Sequence, residues 1–152
     1  MSSKYKNVGV LWSSGLDSTY LIYWFLENFP TCVVSAGYSE IKNNPEKTKM
    51  ELAAIDKIIP IFNKLYPNRF KYLGIIQKTD VILVGNNEIF RQLPLWLLTL
   101  LQFNRDIEHV AIGYVMNDDA ISYLSEIKRA WKSLAFIQDK QPKLVFPLSK
   151  NK

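Results

Sequence analysis

Six residues near the amino terminus, Ser13-Ser14-Gly15-Leu16-Asp17-Ser18, put several phosphate-binding groups within one turn of chain. Small side chains let a backbone come close to a ligand, and Gly15 permits positive φ. Serine hydroxyls and consecutive amides can donate to phosphate oxygens, and a helix starting here adds a favourable dipole. Asp17 is the odd member, since its charge repels a phosphate. A carboxylate at that position makes sense if it holds Mg²⁺ or caps the helix. The plainer alternative is a strand-to-helix turn in which Asp17 or Ser14 serves only as a cap.

The flanking sequence decides what such a turn could do. Val8 to Trp12 is apolar and reads as a buried strand. Asp17 to Glu27 reads as a helix that is apolar on most sides, which predicts thorough burial, and Asn28 and Pro30 end it. Thr31 to Ala36 predicts a second strand, and Gly37 to Pro45 a polar loop. Glu46 to Ile59 has helical spacing, with Met50, Ala53, Ala54 and Ile58 on one side; Pro60 should kink or break it before a last turn to Leu65. Phe70 to Ile76 predicts a third strand. Val81 to Val84 reads as a short strand or extended arm, and Gly85-Asn86-Asn87 as a turn. Glu88 to Phe103 predicts a helix broken or entered at Pro94. Val110 to Gly113 predicts a fourth strand beginning near His109, followed by a loop from Tyr114 to Asp119. Ala120 to Phe136 predicts one long amphipathic helix presenting Ile121, Leu124, Ile127, Trp131 and Leu134. Leu144 to Phe146 closes the series as a short strand ended by Pro147.

Strands alternating with helices imply an α/β fold: a doubly wound, mostly parallel five-stranded sheet covered on both faces. At 152 residues with no visible linker or repeat, residues 1–152 are expected to form one domain. In such sheets ligands sit beyond the carboxyl ends of the strands, where strand order reverses. The Ser13–Ser18 turn falls there by its place in sequence.

The segment Val10-Leu11-Trp12-Ser13-Ser14-Gly15-Leu16-Asp17-Ser18-Thr19 resembles the PP-loop of the ATP pyrophosphatase superfamily, S-G-G-x-D-S-[ST], with Ser14 where that pattern has glycine. Within it the chain most resembles the 7-cyano-7-deazaguanine synthase family of queuosine biosynthesis. The Leu-Asp-Ser-Thr ending of the loop is typical of that family. Ala36-Gly37-Tyr38 falls at its F-D-Y segment near the adenine, Phe90-Arg91-Gln92 resembles its G-R-N segment, and Ile112 to Asp118 resembles its I-G-x-N-x-E-D stretch. Pro147-Leu148 and Lys150 match its late P-L…K element in compressed form.

The resemblance implies a Rossmann-like sheet of order 3-2-1-4-5, with ATP and Mg²⁺ as cofactors. It also implies an ATP-dependent ligase chemistry that forms carbon–nitrogen bonds: a carboxylate of a deazapurine-like base is adenylated with release of pyrophosphate, then amidated by ammonia. ATP contacts would come from Ser13 to Ser18, Ala36, Tyr38, Gly113 and Lys150. Asp17, Ser18 and Arg91 would carry catalysis, Asp17 would orient Mg²⁺, and Arg91, Asp118 and Asp119 would face the purine-like substrate. Each has a plainer reading: Arg91 as a solvated arginine, Asp118 and Asp119 as helix caps, Lys150 as a frayed terminal lysine.

That family also continues into a region with four zinc-binding cysteines. Here there is one cysteine, Cys32, and one histidine, His109, so no zinc site is expected. Two rivals stand beside the ligase reading. One is a nucleotide-binding or sequestering protein, favoured by Ser14 and the missing zinc region. The other is a tRNA-modifying ATPase of the same superfamily, suggested by the net charge of +5. No run of five or more basic residues exists, so lysines scattered over solvated faces are the stronger reading of that charge and a nucleic-acid partner the weaker. The cysteine sits in an apolar run, the first residues lack a signal-peptide core, and Leu93 to Leu101 is too short to cross a bilayer. A cytoplasmic protein without membrane contact is expected, with Trp96 and its leucines forming core or a homodimer face.

Overall fold

A computed structural model describes residues 4–42, 44–79, 88–116 and 118–149, apart from the side chains of residues 88–92 and 119. Five strands and four α-helices alternate: β1 (Asn7–Leu11), α1 (Leu16–Asn28), β2 (Val33–Ile41), α2 (Pro45–Leu65), β3 (Phe70–Thr79), α3 (Glu88–Leu100), β4 (His109–Ala111), α4 (Leu124–Ser133) and β5 (Lys143–Val145). The strands form one sheet of order β3-β2-β1-β4-β5. Every pairing is parallel, with Leu11 opposite Gly37 and Val10 opposite both Ala36 and Ala111. The order reverses at β1, between β2 and β4.

Side-chain alternation along the strands separates two cores. Val8, Val10, Trp12, Val34, Ala36 and Tyr38 join Leu21, Ile22 and Phe25 of α1 and Ile55 and Phe62 of α2. Leu11, Val110, Ile112 and Leu144 join Leu97 and Leu100 of α3 and Ile127 and Trp131 of α4. Residues one apart on a strand thus feed opposite faces, as the period of two requires. The leucines of α3 are mostly core, and Leu98 is exposed.

Helix α1 buries Ser18, Leu21, Ile22, Phe25 and Leu26, a stripe one face wide. The expectation of burial on most sides is corrected here: Leu16, Tyr20 and Tyr23 lie on the outer face. Its carboxyl end is held by Arg69, just before β3. The Arg69 guanidinium donates to the carbonyls of Leu26 at 2.6 Å, Phe29 at 2.8 Å and Cys32 at 3.1 Å. That satisfies carbonyls left open at a helix end with a charge of the favourable sign.

Three further expectations change. Strand β2 runs on to Ile41, so Gly37 to Ile41 is strand rather than loop; the long β3 pairs with it as far as Thr79. Helix α2 continues through Pro60 without a break. Pro60 and Asp56, four residues before it, are both exposed, so water can take the carbonyl that proline leaves unbonded. Met50 and Ala53 are exposed, and the buried stripe runs through Ile55 and Phe62 with Leu52, Ile58 and Ile59 packed beside it.

The long helix expected over Ala120–Phe136 is three pieces: a 3₁₀ turn at Asp119–Tyr123, α4, and a second 3₁₀ turn at Leu134–Ile137. The Trp131 carbonyl accepts from the Gln141 side chain at 2.5 Å and from the Leu134 amide, which ends the α pattern there. The segment 81–87 lies outside the described residues. No helix among those described is long and apolar enough to cross a membrane.

Candidate functional site

Beyond the carboxyl ends of β1, β2 and β4 lies a cavity of about 430 Å³. Five of the six loop residues line it: Ser13, Gly15, Leu16, Asp17 and Ser18. The loop leaves β1 at Trp12, whose amide donates to the Gly37 carbonyl of β2 at 2.9 Å. The Trp12 indole is fully buried and donates to Thr19 Oγ1 at 2.9 Å, pinning the first turn of α1 to the strand. The Ser18 hydroxyl closes the loop internally. It accepts from the Ser13 amide at 3.2 Å, lies 3.2 Å from Ser13 Oγ and donates to the Gly15 carbonyl at 3.3 Å.

The left-handed residue in this turn is Ser14, with φ 63°, while Gly15 is extended at φ −64° and ψ 161°. The conformational freedom expected of Gly15 is therefore used one residue earlier. A non-glycine residue in that region carries a cost on the order of 1–2 kcal/mol. Gly15 takes the N-cap position with no side-chain cap bond, so neither Ser14 nor Asp17 caps α1. The first amides of a helix have no partner within it, and Leu16, Asp17 and Ser18, which open α1, line the cavity.

Gly113, two residues past β4, abuts this turn. A Cβ placed there would stand 3.0 Å from the Ser18 amide nitrogen and 3.1 Å from the Asp17 carbonyl carbon. Only glycine allows the end of β4 to approach the loop so closely. Beyond it, Tyr114 and Asp118 line the same cavity. Asp118 precedes the 3₁₀ turn without a side-chain cap bond. The Tyr114 phenol, packed on Phe146 with ring centroids 5.8 Å apart, is pushed up to about 12 by burial and then by the Asp118 charge. It is a neutral donor at physiological pH.

The α2 side of the cavity holds residues that the sequence did not single out: Asn44, Lys47, Thr48 and Glu51. Asn44 caps α2 by accepting from the Lys47 amide at 3.0 Å. Tyr38, at the end of the second-strand match, is buried and donates its O–H to Glu51 Oε2 at 2.5 Å. Lys47 Nζ lies 3.8 Å from Glu51 Oε1. The available signal was the Asn-Pro helix start followed by a Lys–Glu pair at i, i+4. Trp96 of α3 closes another side.

Of the other expected contacts, Ala36 lies in the core beneath the cavity and does not line it. Arg91 falls in α3, and its side chain lies outside those described, as does that of Asp119; Lys150 lies outside the described residues altogether. Among the described residues no group of three or more His, Cys, Asp or Glu side chains could hold a metal ion.

No family model matches the sequence, and no curated protein matches it. Solved structures do. The chain is similar to the U34-tRNA thiolase NcsA from Methanococcus maripaludis, at 20% identity and a TM-score of 0.52, over 97% of this chain and 53% of the thiolase. It is also similar to a predicted subunit of tRNA methyltransferase from Methanocaldococcus jannaschii, at 13% identity and a TM-score of 0.50, over 97% of this chain and 70% of that one. The chain thus spans about half the length of the thiolase. The thiolase carries a [4Fe-4S] cluster. Such clusters are held by several cysteine thiolates. This chain has one cysteine, Cys32, buried at the opposite end of the sheet, where burial pushes its thiol up to about 11. Its residues do not fit a cluster. At these identities the likeness is one of fold: a five-stranded, parallel, Rossmann-like α/β sheet in the order β3-β2-β1-β4-β5.

Proposed function

We propose that this chain binds ATP, with the pyrophosphate portion in the Ser13–Ser18 turn, and that it adenylates an acceptor oxygen. The observation that carries the reading is the cavity at the strand-order reversal, walled by that turn and by the carboxylates Asp17 and Asp118. Amides at the start of α1 and the Ser13 hydroxyl would take the charge that builds on the leaving pyrophosphate. Ser18 holds the turn in shape. Mg²⁺ is bound through one or two carboxylates plus substrate phosphates, so Asp17 and Asp118, which both line the cavity, would suit a metal that arrives with the nucleotide and neutralises the same charge.

In the reaction the acceptor oxygen bonds to the α-phosphorus, the bond between that phosphorus and the bridging oxygen breaks, and pyrophosphate leaves. A carboxylate acceptor brings no proton to remove, so no general base is required. The resemblance in sequence favours a deazapurine-like carboxylate, subsequently amidated by ammonia. Trp96 and Tyr114, together with Asp118, offer flat faces and an acceptor for such a base.

A second reading of the acceptor, an oxygen on a tRNA base, is supported by the two structural neighbours and the net charge of +5. Incubation with α-labelled ATP and Mg²⁺, with deazapurine acids or with tRNA, should release pyrophosphate with one acceptor only, and AMP once ammonia is added to displace it from the adenylated carboxylate. Asp17→Ala should lower ATP affinity tenfold or more, an effect of about 1.4 kcal/mol. Absence of ATP binding by the native chain would overturn the proposal. Tight binding without turnover on either acceptor would leave a nucleotide-sequestering protein.

A further inference from the structure

We propose that Glu51, oriented by Tyr38, accepts the hydrogens of the nucleotide's ribose hydroxyls and makes the cavity selective for ribonucleotides over deoxyribonucleotides. This rests on the ATP reading and adds to it the residue that reads the sugar.

Glu51 puts a carboxylate where phosphate binding alone would disfavour one. Glu51 lines the cavity from the first turns of α2. A carboxylate has about four acceptor positions. The buried Tyr38 phenol fills one, on Oε2, at 2.5 Å. Lys47 Nζ, at 3.8 Å from Oε1, is near enough to offset charge and too far for a hydrogen bond. Among the described residues no hydrogen bond takes Oε1, so this cavity-lining carboxylate keeps acceptor capacity unspent. Burial and the adjacent Glu51 carboxylate push the Tyr38 phenol well above its usual range, so it keeps its proton and donates toward Glu51. Strand β3 carries the extra residues where pairing shifts around Tyr38, the kind of irregularity that re-aims a side chain beside a site.

Position selects the sugar. Gly37 pairs with Leu11 and accepts from the Trp12 amide, so Tyr38 stands level with the start of the phosphate turn on the neighbouring strand. Adjacent strands lie about 4.8 Å apart. The ribose is the group joined directly to the α-phosphate, so it is what a nucleotide presents one strand away from its phosphates. A carboxylate near the second strand that accepts from a ribose hydroxyl is a known solution in doubly wound sheets. Here it comes from α2 and is reached through Tyr38.

Dissociation constants for ATP, 2′-deoxy-ATP, 3′-deoxy-ATP and inosine triphosphate, measured by calorimetry on the native chain, Glu51→Ala, Glu51→Gln and Tyr38→Phe, test this. The native chain should favour ATP over 2′-deoxy-ATP or 3′-deoxy-ATP by about tenfold or more, the size expected for a hydrogen bond to a charged group. Glu51→Ala should weaken ATP, which loses both hydroxyl contacts, by more than it weakens either deoxynucleotide, which loses one, and so abolish the preference; Glu51→Gln should fall between. Tyr38→Phe keeps the ring and should reduce the ATP-to-deoxy ratio, weakening ATP more than either deoxynucleotide. Native binding of ATP and both deoxynucleotides with equal strength overturns the proposal while leaving the ATP reading intact. A Glu51→Ala effect confined to ATP against inosine triphosphate overturns it in favour of the base amino group. Failure of the native chain to bind ATP removes the reading and this inference together.

Discussion

The two halves of the sheet on either side of the phosphate turn are held by different means. On the β1-β2-β3 side, β2 and β3 are 9 and 10 residues long, and two long helices cover them. Their core is a run of touching rings: Tyr5 on Phe25 at 5.1 Å, Trp24 on Phe25 at 5.1 Å, Trp12 on Phe70 at 5.9 Å and Phe62 on Phe70 at 5.0 Å. On the other side β4 and β5 have three residues each, and the connection between them is a short helix between 3₁₀ turns. The candidate site joins the two. Its phosphate turn and Glu51 belong to the long-stranded half; Gly113, Tyr114 and Asp118 belong to the other. On the proposed function, nucleotide binding would fall to the long-stranded half and acceptor recognition to the loops of the other.

The largest expected effect probes the ring core. Phe25→Ala should destabilise by about 4 kcal/mol, the middle of the range for losing a buried phenylalanine. Ile127→Ala, in the core beneath α4, should cost about 2 kcal/mol, because the irregular turns around it can close on the hole. Urea denaturation of both variants checks the pair, and equal losses would break the comparison. Gly113→Ala, at the seam, should cost about 2 kcal/mol through contact with the Ser18 backbone and weaken ATP binding as well; unchanged ATP affinity would mean that the halves are not coupled there. The smallest effect is at Ser14. Ser14→Gly should gain about 0.5–1 kcal/mol, the left-handed strain relieved less the entropy of glycine, and Ser14→Ala should gain nothing. Thermal unfolding midpoints would separate those two.

The long-stranded half was the more legible in sequence, for a physical reason. Val8 to Trp12 followed at once by Ser-Ser-Gly and an apolar helix states strand, turn and helix in local terms, and α1 appears within a residue or two of expectation. The strand order was legible through resemblance. What failed depended on distant partners. Nothing local says that Gly37 to Ile41 will be strand, since its pairing rests on β3, about 35 residues later. The periodicity of Ala120 to Phe136 was real, with Ile127 and Trp131 buried, but Gln141 lies outside that window and ends the helix from across a turn. In the site, Ser13, Gly15, Asp17, Tyr38 and Asp118 were legible as a set; Lys47 and Glu51 were not, because an exposed-looking i, i+4 ion pair reads as solvated helix. The glycine that the PP-loop pattern has at position 14 was the clue to which residue turns left-handed.

The Arg69 clamp bears on the order in which the chain can be finished. The carbonyls it binds, of Leu26, Phe29 and Cys32, lie 43, 40 and 37 residues earlier in the chain. On a ribosome, α1 is complete long before the guanidinium that fastens its end exists. The helix bearing the phosphate turn therefore waits, with those carbonyls open to water, until the third strand begins to emerge. The end of α1 can be fastened in this way only once Arg69 is free to fold back onto it.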